Sequence, residues 1–196
     1  MFAVSYDNFL EEHIAQLIDF EMREVKWQYD YDSKPNGTQK HWHVFCGHNI
    51  EECKLNGFDF IEPIWNCIQN QGYKIELERA YLNAHTYGIE PHIHRDDGDV
   101  TMIYYPRLDW QNDWGGGTLV QETNQHPTYL NYVGNRCIIF TASLLHQAQP
   151  VSRECYQLRT CVVFKTTYKD KEKSEWYNKN KSLKPNNVRV VIDEVD

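Results

Sequence analysis

The ten residues from Pro91 to Val100, PHIHRDDGDV, hold much of the chain's candidate chemistry. Two imidazoles, three carboxylates and a guanidinium lie within this short stretch. It could be a kinase-type catalytic loop, a cupin-type metal site, or the first half of a non-haem iron site. These hypotheses require different partner residues elsewhere in the chain, so the rest of the sequence can separate them.

The kinase hypothesis fails on its partners. A kinase loop places an asparagine five residues after its aspartate, where this chain has Thr101, and no Gly-rich phosphate loop precedes the stretch. A cupin-type site would use His92, His94, Asp99 and a distant histidine. That alternative stays open.

The third hypothesis takes His94 and Asp96 as an H-x-D pair. Alternation along a strand places both side chains on one face, about 6–7 Å apart along the backbone. A third ligand could be His146, which follows the apolar run CIIF and a short turn. Two histidines and one carboxylate leave half of an octahedron open, which suits Fe(II) that must bind a chelating co-substrate and dioxygen.

A dicarboxylate co-substrate would need a buried cation, and Arg159 lies mid-strand in QLRTCVVF. A buried arginine requires an anionic partner, because an unpaired buried charge is very costly. The alternative for Arg159 is an internal salt bridge to Glu76, Glu78 or Asp99.

The elements that must position these residues divide the chain in two. Residues 1–72 are predicted as a helical front, with one helix in SYDNFLEEHIAQLIDFEM capped by Asp7 and a second stopped at Gly72. Residues 73–166 are predicted as a strand-rich core, and 167–196 as a charged tail with one edge strand. In the first core strand, alternation places Ile75 and Leu77 on one face with Arg79, Tyr81 and Asn83, which would line a pocket.

The remaining strand-like runs are short, are separated by turn residues and have no helices between them, which indicates an antiparallel sandwich or barrel. We expect one domain over the 196 residues. The six cysteines form no CxxC pair, and we interpret them as reduced and mostly buried.

The composition of the chain argues against some classes of binding partner. The formal net charge of −8 argues against a nucleic-acid partner, whose binding requires a basic surface. No apolar run has the length of a membrane helix, and the N-terminus has no signal-peptide pattern, so we expect a cytoplasmic protein.

Two further clusters are ambiguous. The segment HWHVFCGHNIEEC carries potential zinc ligands at His41, His43, Cys46, His48 and Cys53, but its spacing fits no structural zinc motif, and a strand with surface histidines is the favoured interpretation. Trp110 and Trp114 precede a Gly-rich hairpin, where tryptophans more often pin the turn than contact a substrate.

Four segments in order resemble the prolyl-4-hydroxylase-like branch of the 2-oxoglutarate/Fe(II) dioxygenases, from about Tyr81 to Lys165. YGIEPHIHRDDG resembles the first ligand segment, and VTMIYYPRLDWQNDWGGGTLV is similar to the strand, tryptophan turn and Gly-Gly hairpin of the hypoxia-factor prolyl hydroxylases. GNRCIIFTASLLHQAQPVS resembles the segment of the distal histidine, and QLRTCVVFK the ending of small phage and bacterial members.

The resemblance implies a fold that is mainly β with flanking helices, a double-stranded β-helix or jelly roll. It implies that the iron ligands are His94, Asp96 and His146. By the same resemblance Tyr105 and Arg159 would contact the distal carboxylate of 2-oxoglutarate, and Asn83 would lie near its chelating end. In the hypoxia-factor enzymes the arginine falls where this chain has Cys155, four residues before Arg159 on the same strand face.

The implied activity uses Fe(II), 2-oxoglutarate and O2 to hydroxylate a substrate, with release of succinate and CO2. An amino-acid side chain, with proline in a peptide or protein as the leading candidate, is the expected target. The alternatives are a dioxygenase acting on a free small metabolite, a cupin-like metal-binding protein without turnover, and a zinc-bound hydrolytic or isomerase cupin.

Overall fold

The computed structural model describes residues 3–32, 39–121 and 126–169, together with the backbone of 188–190. Its helices are α1 (Glu12–Glu24), α2 (Ile50–Leu55) and α3 (Glu62–Asn70), with short 3-10 turns at Asp59–Ile61 and Asn112–Trp114. Its strands are β1 (Ala3–Tyr6), β2 (Gln28–Tyr31), β3 (His41–Gly47), β4 (Ile75–His85), β5 (Val100–Tyr105), β6 (Thr118–Gln121), β7 (Thr128–Leu130), β8 (Arg136–Thr141), β9 (Leu145–Ala148), β10 (Arg159–Tyr168) and β11 (Val188–Val190).

The strands form two antiparallel sheets. The larger has the order β11-β1-β8-β5-β10-β4-β3-β2, and the smaller has the order β7-β6-β9. This confirms the jelly-roll prediction. The front of the chain is mixed rather than helical, because β1, β2 and β3 all join the larger sheet.

The larger sheet is buried on both faces in its centre. One face packs on the helices, through Leu82, Met102 and Phe164 against α1 and α3. The other face packs toward the smaller sheet, where Ile103 and Val163 belong to one cluster with residues of β6, β7 and the following loops. Alternate residues of β5 and β10 thus serve different cores, so these strands read as continuous apolar runs.

The first helix starts later than the sequence predicted. Asp7 does not cap it, because α1 begins at Glu12 and Asp7 instead pairs with Arg136 of β8. The capping prediction was wrong because the preceding residues extend as β1 on the edge of β8, which the local pattern does not show. The second predicted helix is confirmed as α3, which ends just before Gly72 at a positive φ of 84°.

The alternation predicted for β4 is interrupted. A β-bulge leaves Glu78 without a partner residue on β10, since Lys165 pairs with Arg79 and Thr166 pairs with Leu77. Leu77 therefore packs with the helix-side core, while Arg79 faces the cavity between the sheets. One extra residue thus changes which face each half of β4 presents.

The tail prediction is only partly within the described residues. Its predicted edge strand is present as β11, which pairs antiparallel with β1 at the end of the larger sheet. The charged segment 170–187 lies outside the described residues. Each of the six cysteines is free, and five of them are buried, as expected. Among the helices that the structure describes, none combines the length and apolar character of a membrane span.

Candidate metal centre and cavity

A cavity of about 380 Å³ opens between the two sheets. Its walls come from the central strands of the larger sheet and from β6 and β9 of the smaller one, and the wall residues on these strands are Arg79, Tyr81, Asn83, His85, Thr101, Ile103, Thr118, His146, Ala148, Arg159, Cys161, Val163 and Lys165. The pocket predicted from Arg79, Tyr81 and Asn83 is present. Among these wall residues Arg79, Arg159 and Lys165 carry charged side chains.

The structure brings the three residues of the H-x-D hypothesis together at this cavity. His94, Asp96 and His146 each offer one ligand atom, and those atoms lie within 4.8 Å of one another. The Nε2 atom of His146 is 3.1 Å from Oδ2 of Asp96, and Nε2 of His94 is 3.5 Å from Oδ1. No other group of three such residues is found in the described part of the chain.

The backbone fixes the two histidines relative to each other. His94 and His146 form an isolated antiparallel bridge, with reciprocal N–H···O distances of 3.0 and 2.9 Å. This bridge brings together two residues that lie far apart in the sequence. The ligand positions are therefore set by main-chain pairing as well as by side-chain packing.

The histidine tautomers suit a metal ion. Nδ1 of His94 is 2.8 Å from the His92 carbonyl, and Nδ1 of His146 is 2.9 Å from the Leu144 carbonyl. A carbonyl can only accept, so each Nδ1 carries a proton, and in a neutral ring the Nε2 atom is then free to bind a metal ion. Such second partners orient the histidines of metal sites. The donor set therefore fits a divalent transition metal.

The cupin set is not assembled. His92 contributes its carbonyl rather than its ring to the site, and its Nε2 is buried without a hydrogen bond. Asp99 is occupied elsewhere, because its Oδ2 accepts from the Tyr168 amide at 3.0 Å. The structure therefore favours the set of His94, Asp96 and His146 over the cupin set.

Asp96 lies among donors that keep it ionised. Burial raises the pKa of Asp96, but its close polar neighbours His146, His94 and Lys165 outweigh burial and lower it far below the usual range. Thr101 donates to Oδ2 at 2.6 Å, and the Lys165 ammonium contacts the same oxygen. The sequence reasoning did not identify Lys165 as a site residue.

Arg159 lies in the same cavity wall and is 1% exposed. Its Nε donates to the Gly116 carbonyl, and its guanidinium lies 5.6 and 5.8 Å from the ring centres of Tyr105 and Tyr132. No carboxylate of the described residues forms an ion pair with it, so the alternative of an internal salt bridge to Glu76, Glu78 or Asp99 is not observed. A buried guanidinium that faces a cavity without an anion is suited to bind one.

The other predicted co-substrate residues have protein partners. The Tyr105 hydroxyl is 2.7 Å from Oγ1 of Thr118, and Thr118 lies in the cavity wall beside it. Burial raises the pKa of Tyr105 to about 12, so its hydroxyl stays protonated. Asn83 lies in the wall, and its Oδ1 pairs with Nδ1 of His43 at 2.8 Å. Their roles toward a co-substrate stay predictions.

The His and Cys cluster of β3 and α2 is not a metal site in the described residues. Cys46 and Cys53 are buried and His48 is exposed, whereas His41 turns inward into the cavity wall. His41 and His85 meet edge to face with ring centres 4.9 Å apart, and burial lowers the pKa of both. The interpretation as surface histidines was thus wrong for His41, because the strand register that buries it depends on pairing with β4.

The tryptophans of the Gly-rich turn are structural. Trp110 and Trp114 are 9% and 2% exposed and belong to the core cluster between the sheets. The indole nitrogen of Trp110 donates to the Gly115 carbonyl at 3.0 Å. Both indoles pin the turn, as the favoured interpretation expected. Neither lines the cavity.

Known proteins share this architecture. A prolyl hydroxylase from Trichoplax adhaerens, solved with a hypoxia-inducible-factor peptide fragment, is 15% identical, with a TM-score of 0.62 over 83% of this chain and 82% of that chain. A prolyl-4-hydroxylase from Pseudomonas putida is 14% identical, with a TM-score of 0.63 over 83% and 91%. HygX from Streptomyces hygroscopicus, solved with nickel and 2-oxoglutarate, is 7% identical, with a TM-score of 0.60 over 85% and 83%.

At these identities the likeness establishes the fold, and the expected resemblance is confirmed at that level. No protein-family model matches the sequence, and no curated protein does.

Proposed function

We propose that this protein is an Fe(II)- and 2-oxoglutarate-dependent dioxygenase that hydroxylates an amino-acid side chain. The observation that carries the proposal is the shared cavity, in which the His94, Asp96 and His146 ligand set and the Arg159 guanidinium face the same space. A metal site alone would fit many functions. A metal site together with an unpaired buried cation fits a chelating dicarboxylate.

The three ligands suit iron in this role. Two neutral imidazoles and one carboxylate occupy one face of an octahedron and leave positions for a co-substrate and dioxygen. When bound, iron and 2-oxoglutarate supply an oxidant that inserts one oxygen atom into a C–H bond, with succinate and CO2 as co-products. The protein holds the ligands through the backbone bridge and through Asp96, whose Oδ2 accepts from Thr101 and Lys165.

Arg159 is proposed to bind the distal carboxylate of 2-oxoglutarate. Its burial supports this role, because a charge-assisted hydrogen bond is stronger where water is excluded. Tyr105 is proposed to support the same carboxylate through its protonated hydroxyl, beside Thr118. Asn83 is proposed to face the chelating end.

For the substrate, we propose a prolyl residue of a peptide or protein. The support is the architecture shared with the Trichoplax and Pseudomonas enzymes, the first of which was solved with a peptide. The net charge of −8 disfavours nucleic acid, whose phosphates would meet a repulsive field. A free small metabolite is the competing substrate class.

The test begins without oxygen. Titration of the Fe(II)-loaded protein with 2-oxoglutarate should produce the weak visible charge-transfer band of the chelate, and the His146→Ala variant should not produce it. A cupin-like binding protein, or a zinc hydrolase or isomerase, would show no such band and would release no succinate in air.

The substrate is tested by mass spectrometry after incubation in air with proline-rich peptides, free amino acids or single-stranded DNA. Gain of one oxygen on peptides supports the proposal. Gain on free amino acids alone would assign a metabolite substrate, and gain on nucleobases alone would refute a peptide substrate.

A further inference from the structure

Lys165 is a buried cation that the proposed chemistry does not require. It is 2% exposed and lies on the cavity-facing row of β10, six residues after Arg159. Its ammonium contacts Oδ2 of Asp96 and lies 3.3 Å from Oγ1 of Thr101, which itself donates to that same oxygen. Two donors of the protein thus converge on one oxygen of a proposed metal ligand.

The consequence is a neutral ligand set. Histidines that bind a metal ion do so as neutral ligands, and the Lys165 ammonium balances the charge of Asp96. Nearby, Arg79 is likewise cancelled by Asp97, at 2.5 Å. A divalent metal bound here would keep both of its positive charges, whereas the same three ligands without the lysine would leave it only one.

We infer that Lys165 is a positioning residue that weakens metal binding and strengthens binding of a dianionic co-substrate to the loaded site. This inference rests on the proposed function. An ammonium beside the ligand carboxylate repels a metal cation, and it adds attraction for a dianion that arrives afterwards. Thr101 holds the same carboxylate without adding charge, so the chain offers its own matched comparison.

The experiment uses Co(II), which gives a visible spectrum without turnover. Co(II) is titrated into the metal-free protein, and 2-oxoglutarate into the Co(II)-loaded protein. Lys165→Met should bind Co(II) more tightly and then bind 2-oxoglutarate more weakly, each by at least about tenfold, since a unit charge at contact range has effects of this size or larger in a protein interior.

Thr101→Val is the matched control. It removes a hydrogen bond to the same Asp96 oxygen and no charge, so Co(II) affinity should fall while 2-oxoglutarate affinity of the loaded protein stays within about twofold. Lys165→Arg, which keeps the charge, should restore wild-type 2-oxoglutarate affinity. Lys165→Gln keeps a donor to Asp96 without the charge. If Lys165→Met does not fold, Lys165→Gln should show the same two changes, tighter Co(II) binding and weaker 2-oxoglutarate binding.

The sign of the two shifts decides the inference. A purely structural lysine would weaken both equilibria, or would weaken Co(II) binding alone, and either result overturns it. If the wild-type protein binds no Co(II), or binds Co(II) but no 2-oxoglutarate, the proposed function itself fails. If the wild type binds both and the variants shift both in the same direction, only the role of Lys165 is refuted.

Discussion

Replacing Arg159 by methionine should separate co-substrate binding from every other property of the site. The guanidinium is buried, faces the cavity and has no carboxylate partner among the described residues, so a bound dicarboxylate would be its anion. Loss of one partner of a buried charge-assisted pair costs about 2–5 kcal/mol, so 2-oxoglutarate affinity should fall roughly thirtyfold or more. Iron affinity should be unchanged, because Arg159 contacts none of the three ligands.

The stability of the ligand-free protein should change little. The variant loses the hydrogen bond to the Gly116 carbonyl, worth about 1 kcal/mol, and it also removes a buried charge that lacks an anion. These effects oppose each other, so the free energy of unfolding in urea should stay within about 1 kcal/mol of the wild type. A large loss of 2-oxoglutarate affinity without a loss of stability would then show that Arg159 contacts the co-substrate directly.

The assay is calorimetric titration of the iron-loaded protein with 2-oxoglutarate in the absence of oxygen. Arg153→Met is the matched control, because Arg153 is exposed and its guanidinium lies 5.5 Å from the Tyr87 ring, outside the cavity wall. It should bind 2-oxoglutarate as the wild type does. If Arg159→Met keeps full 2-oxoglutarate affinity, Arg159 is a packing residue and the co-substrate assignment is refuted.

Three further predictions follow from the same cavity. Metal binding, measured by calorimetry, should be abolished by alanine at His94, Asp96 or His146, whereas His92→Ala should retain it; loss of binding in His92→Ala with binding retained in Asp96→Ala would favour the cupin set instead. Tyr105→Phe should weaken 2-oxoglutarate binding by about 1 kcal/mol, the contribution of one hydrogen bond. An unchanged affinity would mean that the Tyr105 hydroxyl bonds only to Thr118 and does not contact the co-substrate. Burial lowers the pKa of His41 from 6.5 to about 4. Between these two pH values the unfolded chain binds a proton at His41 that the folded protein does not bind, so the free energy of unfolding decreases as pH falls from 6.5 toward 4. Urea unfolding at pH 6.5 and 5 should show about 1.5 kcal/mol less acid destabilisation in His41→Phe than in the wild type; equal destabilisation would contradict burial of a neutral imidazole.

The grouping of the three proposed metal ligands could be predicted from the sequence because their geometry is local or follows a simple pattern. His94 and Asp96 are two residues apart, so their proximity is local, although the structure places both outside the named strands, with His94 in an isolated bridge. His146 follows an apolar strand and a turn, which delivers it to a sheet edge. Arg159 was visible because a guanidinium within an apolar strand requires an anionic partner.

The missed residues depend on pairing between distant strands. Lys165 follows the apolar run CVVF, a position from which a lysine usually reaches solvent, and only the register of β10 against β5 brings it to Thr101 and Asp96. His41 becomes a wall residue because its neighbour in β3 pairs with Ala84 of β4. No periodicity within one segment contains this information.

The bulge at Glu78 has a consequence for how this chain can change its length. Before the bulge, Ile75 and Leu77 face the helices, and after it Arg79 and Tyr81 face the cavity, so one added residue sets the phase between two cores. Deleting one residue here would turn one half of β4 over. Either Arg79 would then face the helices, or Ile75 would lose its place in the helix-side core. Surface loops accept insertions and deletions readily, but at this point the strand accepts neither without losing one of its two interiors.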